Sequence, residues 1–167
     1  MTQNNLGNVL GDQGTRTGGE AGTRLLAEAV QAYRDALTVY TKEQLPQQWA
    51  MTQNNLGATL RDQSTHTDGE AWTQLLAEAV TAYREAVTVR TKEQLPQQWA
   101  STQYNLGNVL QNQGTRTGGE AGKELIREAI NAYGLALQIQ TREALPVQWG
   151  QTMGNLARAK KALEDMN

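Results

Sequence analysis

The chain of 167 residues sets fifteen Lys and Arg against seventeen Asp and Glu, for a formal net charge of −2, and contains no cysteine. Near-neutrality leaves no surplus of positive charge to hold phosphates or anionic lipid, which argues against nucleic acid or a membrane as partner. Without thiols there is no disulfide framework and no thiolate metal site, and with no run approaching eighteen apolar residues and no signal-like start in MTQNNLGNVL, a cytoplasmic protein is expected.

Internal repetition dominates the sequence. Residues 1–50 and 51–100 differ at twelve positions, leaving 38 of 50 identical, and residues 101–150 differ from the first copy at nineteen, leaving 31 of 50. Such close copies point to recent duplication. A residue found three times at one phase is then a single observation, and the positions that diverge carry more information.

In chain order, the first copy opens inside a helix that stops near Gly14, followed by a glycine-rich loop. Thr17 and Glu20 have the spacing of a capping box, and so do Thr67 with Glu70 and Thr117 with Glu120, each predicting the start of a second helix. That helix carries Leu25, Leu26, Ala29, Val30, Tyr33, Ala36, Leu37 and Tyr40 at three-and-four spacing and ends before TKEQLP. Pro46, Pro96 and Pro146 each suit the first position of the next helix, where a missing amide proton costs nothing. The helix from Pro46 places Trp49, Leu56 and Leu60 on one face and stops near Ser64; the one from Pro96 stops near Gly114. Residues 151–167 repeat the first-helix phase but put Lys160 where Leu10, Leu60 and Leu110 stand, with Met153, Leu156, Ala159 and Leu163 on one face, so a capping helix is expected there. The expected architecture is all-α: seven helices in stacked antiparallel hairpins forming one α-solenoid domain over 1–167 (repeats 1–50, 51–100 and 101–150, cap 151–167). No β-rich segment competes.

The order Leu6-Gly7, Ala29, Tyr33, Ala36, Pro46 resembles the tetratricopeptide repeat signature, and it recurs as Leu56-Gly57, Ala79, Tyr83, Ala86, Pro96 and as Leu106-Gly107, Ala129, Tyr133, Ala136, Pro146. The period departs from that family's thirty-four residues by extension of the loop and of both ends of the second helix. Gln3, Gln53 and Gln103 hold the family's tryptophan position, while Trp49, Trp99 and Trp149 lie about a turn earlier. The NNLG run is similar to a run in kinesin light chain repeats, an extended-repeat relative. The resemblance implies a right-handed superhelix whose first helices line a concave, peptide-binding groove.

On that face would lie Asn4, Asn5, Asn8 and Asp12, then Asn54, Asn55, Arg61 and Asp62, then Tyr104, Asn105, Asn108, Gln111 and Asn112. Asparagine disfavours helix by roughly half a kcal/mol against alanine, so a row of it needs a reason. A carboxamide offers two donors and an acceptor, which match the backbone of an extended peptide. The competing reading is that Asn5, Asn55, Asn105 and Asn155 bridge adjacent repeats. Lysine is absent from this face in the three copies, which argues against a lysine clamp on a carboxyl terminus. Two aromatic divergences stand out: Trp72 in place of Gly22 and Gly122, expected to pack on its own loop, and Tyr104 in place of Asn4 and Asn54, expected on the groove.

Nothing announces catalysis. The glycine-rich loops lack a phosphate-binding lysine and a preceding strand, the single histidine His66 has no metal or catalytic partners, and Glu28, Glu78 and Glu128 are expected to face solvent or a neighbouring loop. No cofactor, no metal and no enzymatic activity are expected. Two functions remain: a module binding an extended peptide or partner protein segment, or a structural spacer or self-assembling scaffold. Because the chain begins without the LPQQW that precedes later first helices, a longer natural array is expected, and the uncapped first hairpin predicts homo-oligomer contacts.

Overall fold

The computed structural model describes residues 2–166. Those residues form seven helices and no strand: α1 (Gln3–Thr17), α2 (Gly19–Val39), α3 (Pro46–Ser64), α4 (Gly69–Val87), α5 (Pro96–Thr117), α6 (Gly119–Ala136) and α7 (Pro146–Asp165). The chain divides into two compact units, Met1–Val89 and Arg90–Asn167. In the first, the α1/α2 and α3/α4 hairpins stack through α2 against α3 and α1 against α3; in the second, α7 packs on the α5/α6 hairpin in the same way. Each unit is a short run of helical-hairpin solenoid. No described helix is long and apolar enough to cross a membrane.

The apolar stripes bury along their centres, while Leu25, Leu37 and Tyr40 of the expected second-helix stripe and Trp49 of the next helix are only half-buried. Leu26, Ala29, Val30, Tyr33 and Ala36 of α2 are buried, and α4 repeats the set with Leu76, Ala79, Val80, Tyr83 and Ala86. Leu60, Leu76 and Ile126 are fully enclosed, and each such side chain contributes about 1.5–3 kcal/mol of hydrophobic stabilisation. Glycine at the Leu-Gly pair lets the tyrosine ring lie on the first helix: a Cβ on Gly7 would come within 2.6 Å of Tyr33 Cε1.

The interhelix segments are closed by their threonines. Thr41, Thr91 and Thr141 accept from the amides of Gln44, Gln94 and Ala144 at 3.1–3.3 Å, and their carbonyls accept from Leu45, Leu95 and Leu145. A proline then starts each following helix. α7 therefore begins at Pro146, five residues before the repeat boundary.

The predicted capping boxes do not form. Thr17 lies at the end of α1, and its hydroxyl donates to the Gln13 carbonyl at 2.8 Å; Thr67 likewise donates to the Gln63 carbonyl at 3.0 Å. A threonine hydroxyl back-bonding within its own helix end is not free to cap the next. The turn is made instead by Gly18 at φ 65° and Gly19 at φ 57°, a left-handed backbone that glycine adopts without strain, and α2 has no side-chain cap.

α1 also runs past its expected stop, three residues beyond Gly14. Gly14 is a point of close approach rather than a terminator: a Cβ on Gly22 would lie 2.6 Å from the Gly14 carbonyl oxygen. The second unit repeats this with Gly114 and Gly122. In the middle copy both glycines are replaced, by Ser64 and Trp72, and α3 ends at Ser64. Trp72 is buried there.

In α7 the buried residues are Thr152, Asn155 and Ala159, whereas Met153 is 40% exposed. The expected stripe is thus rotated toward Thr152, whose counterparts Thr52 and Thr102 are buried in the same way and whose hydroxyl donates to buried Gln140 at 2.6 Å.

Candidate functional site

The face of α1 and α3 turned away from α2 and α4 holds a cleft of about 420 Å³. Asn8, Asp12 and Thr15 come from α1, Asn55, Thr59 and Asp62 from α3, and Tyr33 reaches in from α2. Helical spacing explains the lining: residues three and four apart share a face.

At its base, Asn8 Oδ1 accepts from Tyr33 Oη at 2.9 Å and from Asn55 Nδ2 at 3.0 Å. One carbonyl thereby ties α1 to its own second helix and to the next first helix. Unit two repeats the device: Asn108 Oδ1 accepts from Tyr133 Oη at 2.8 Å and from Asn155 Nδ2 at 2.6 Å. Burial raises the Tyr33 hydroxyl to about 12, with Thr59's hydrogen bond opposing and the Asp12 charge reinforcing the rise. These phenols are neutral hydrogen-bonding groups at physiological pH.

Among the other asparagines expected on the groove, Asn4 is buried and accepts from Thr52 Oγ1 at 3.0 Å, a second tie between α1 and α3. Asn5 is exposed, and Asn54 is half-buried with its Nδ2 3.4 Å from Asn55 Oδ1. Arg61 folds onto the adjacent Asp62 at 2.7 Å. In unit two, Tyr104 accepts from Asn155 Nδ2 at 3.1 Å and sets its ring 6.1 Å from that of Tyr133, the Gln111 side-chain amide lies 2.9 Å from Tyr133 Oη, and Asn105 is half-buried on α5. Asn8 and Asn55 thus meet in one cleft, and Tyr104, Asn108 and Gln111 meet around Tyr133. Asn55 and Asn155 do bridge successive first helices.

Five residues lining the cleft were not singled out from sequence: Tyr33, read as core, Thr15, Ala58, Thr59 and Gly11. The last two were visible as divergences, since Thr59 replaces Val9 and Val109, and Gly11 stands where later copies have Arg61 and Gln111. Glu78, with its side chain 37% exposed, also meets Arg34 of α2, whose Nη2 donates to both carboxylate oxygens at 2.8 Å, so it faces solvent and a neighbouring helix. Among the described residues, no three His, Asp or Glu side chains gather as metal ligands.

Neither models of known protein families nor the sequences of curated proteins match this chain.

Proposed function

We propose that this chain is a non-enzymatic, tetratricopeptide-type binding module that holds an extended peptide or protein segment along the first-helix face, in a cytoplasmic setting. The observation that carries the reading is the α1–α3 cleft. Its volume lies within the roughly 300–1,000 Å³ typical of ligand sites, and carboxamide, hydroxyl and carboxylate groups converge on it. Such groups serve a peptide's backbone and polar side chains, and the stacked hairpins behind them keep the face rigid. The family-like order of Leu-Gly, Ala, Tyr, Ala and Pro supports the same reading.

A second reading, a spacer or self-assembling scaffold, is favoured by a different observation. Asn8 and Asn108 spend their carbonyls on inter-helix bonds, and α1 exposes Leu6 and Val9. A peptide-display selection on the monomeric full chain separates the two. Enrichment of a shared motif is the expected result. A folded monomer that enriches nothing, with light scattering that grows with concentration, favours the scaffold and contradicts the binding module.

A further inference from the structure

The α1–α3 cleft is open because position 11 has no side chain. Gly11 lines the cleft, and a Cβ built on it would come 3.5 Å from Thr59 Oγ1 and 3.9 Å from Tyr33 Oη. The other copies carry a long side chain at this phase. In the second unit that side chain is Gln111, and the end of its amide lies 2.9 Å from Tyr133 Oη. The chain itself thus shows what the space beside the tyrosine accepts: an extended polar side chain with a planar end. In the first unit the space is unfilled, although glycine inside a helix costs about 1 kcal/mol against alanine.

Its charge is also particular to this copy. Asp12 and Asp62 both line the cleft, whereas the third copy has the neutral Asn112 at that phase. Arg61 is bound to Asp62. Asp12 has no ion-pair partner among the described residues: Arg16, one turn on, gives its Nε to the Asp12 main-chain carbonyl at 3.1 Å. Among the described residues no Lys or Arg lines the cleft, so an anionic group would face the Asp12 charge, and an aliphatic one would strand the amides and hydroxyls around it.

We infer that this cleft takes the guanidinium of an arginine side chain from the bound peptide, with Asp12 as its counter-ion and the oxygens of Tyr33 and Thr59 as further acceptors, in the place that Gln111 fills in the second unit. The inference rests on the binding-module reading and names the chemistry of its partner. A planar fork of five N–H donors suits a ring of oxygens, and a charge-assisted bond to Asp12 adds strength that a neutral side chain lacks.

Nα-acetyl-arginine-N-methylamide, titrated into the full chain and followed by the side-chain amide resonances of Asn8 and Asn55, tests the subsite without any peptide. The citrulline analogue, equal in shape and uncharged, is the control. Saturable shifts with arginine, at least roughly tenfold weaker with citrulline and absent in Gly11→Gln, are expected. Gly11→Gln installs the third copy's residue, and its added Cβ meets only ordinary contacts, so the variant melts at or above the temperature of the parent chain. Equal shifts from both probes, or shifts that survive Gly11→Gln, overturn the subsite. Selected peptides that bind this face without a basic residue leave the binding module standing and also overturn it. Arginine shifts from a chain that selects no peptide uphold the subsite while the extended-peptide reading fails.

Discussion

Tyr33 donates its hydroxyl proton to Asn8 Oδ1 at 2.9 Å, a bond the middle hairpin lacks because the residue fifty positions on from Asn8 is Ala58. Tyr83, the counterpart of Tyr33, is fully buried, and its hydroxyl has no hydrogen-bond partner among the described residues. Burying an unpaired hydroxyl is costly, whereas removing it is not. Tyr83→Phe is therefore expected to be neutral or stabilising. Tyr33→Phe and Tyr133→Phe each lose a bond and cost about 1 kcal/mol. Urea unfolding of the three variants checks the contrast; a loss at Tyr83→Phe equal to the others would mean that its hydroxyl is satisfied.

The same tyrosines set a limit on stability at alkaline pH. Burial first, and the Asp12 charge with it, raises Tyr33 from 10.0 to about 12, and burial moves Tyr83 and Tyr133 in the same direction. A raised phenol holds its proton more tightly folded than unfolded, so its contribution is complete below pH 10 and is lost as pH climbs through the folded value. Stability should fall from about pH 10 to 12, with a shallower fall in Tyr33→Phe. Denaturation midpoints measured across that interval decide it; a flat profile contradicts the burial of these hydroxyls.

Two glycines in helices should respond oppositely to alanine. Gly22→Ala drives a methyl to 2.6 Å from the Gly14 carbonyl oxygen, and overpacking of that kind costs about 1–3 kcal/mol. Gly134, inside α6, has open space where its Cβ would go, so Gly134→Ala should stabilise by up to about 1 kcal/mol. Thermal melts of the pair test the close approach of α1 and α2.

Much of the fold was legible because duplication wrote its periodicity three times. The stripes Leu26-Ala29-Val30-Tyr33-Ala36 and Leu56-Leu60 needed only helical spacing, and Pro46, Pro96 and Pro146 marked helix starts. The capping boxes misled because Thr-x-x-Glu spacing says nothing of which helix the threonine belongs to, and the Gly18-Gly19 turn moves it to the end of the preceding one. The cleft was half legible. Asn8 and Asn55 stood out as carboxamides on one face, but whether such a group meets solvent or bridges helices depends on its distance to the next repeat. Gly11 could not announce a cavity by itself; the comparison with Arg61 and Gln111 was the signal.

Asn8 is expected to be the costliest of the groove asparagines to remove. Asn8→Ala deprives both Tyr33 and Asn55 of their acceptor and should cost about 1–3 kcal/mol. Asn5→Ala, on an exposed position, should stay within about 0.5 kcal/mol. Chemical denaturation of the two variants checks this; equal small losses would show that the bridge between α1 and α3 is not stabilising.

The central claim is that the α1–α3 face receives an extended peptide, and paramagnetic mapping tests it most directly. A selected peptide carrying a nitroxide label is added to the isotope-labelled full chain. Broadening centred on Asn8, Thr15 and Asn55, with Glu28 and Thr81 on the second helices unaffected, is the predicted result. Broadening confined to the second helices, or spread evenly over the chain, would contradict it.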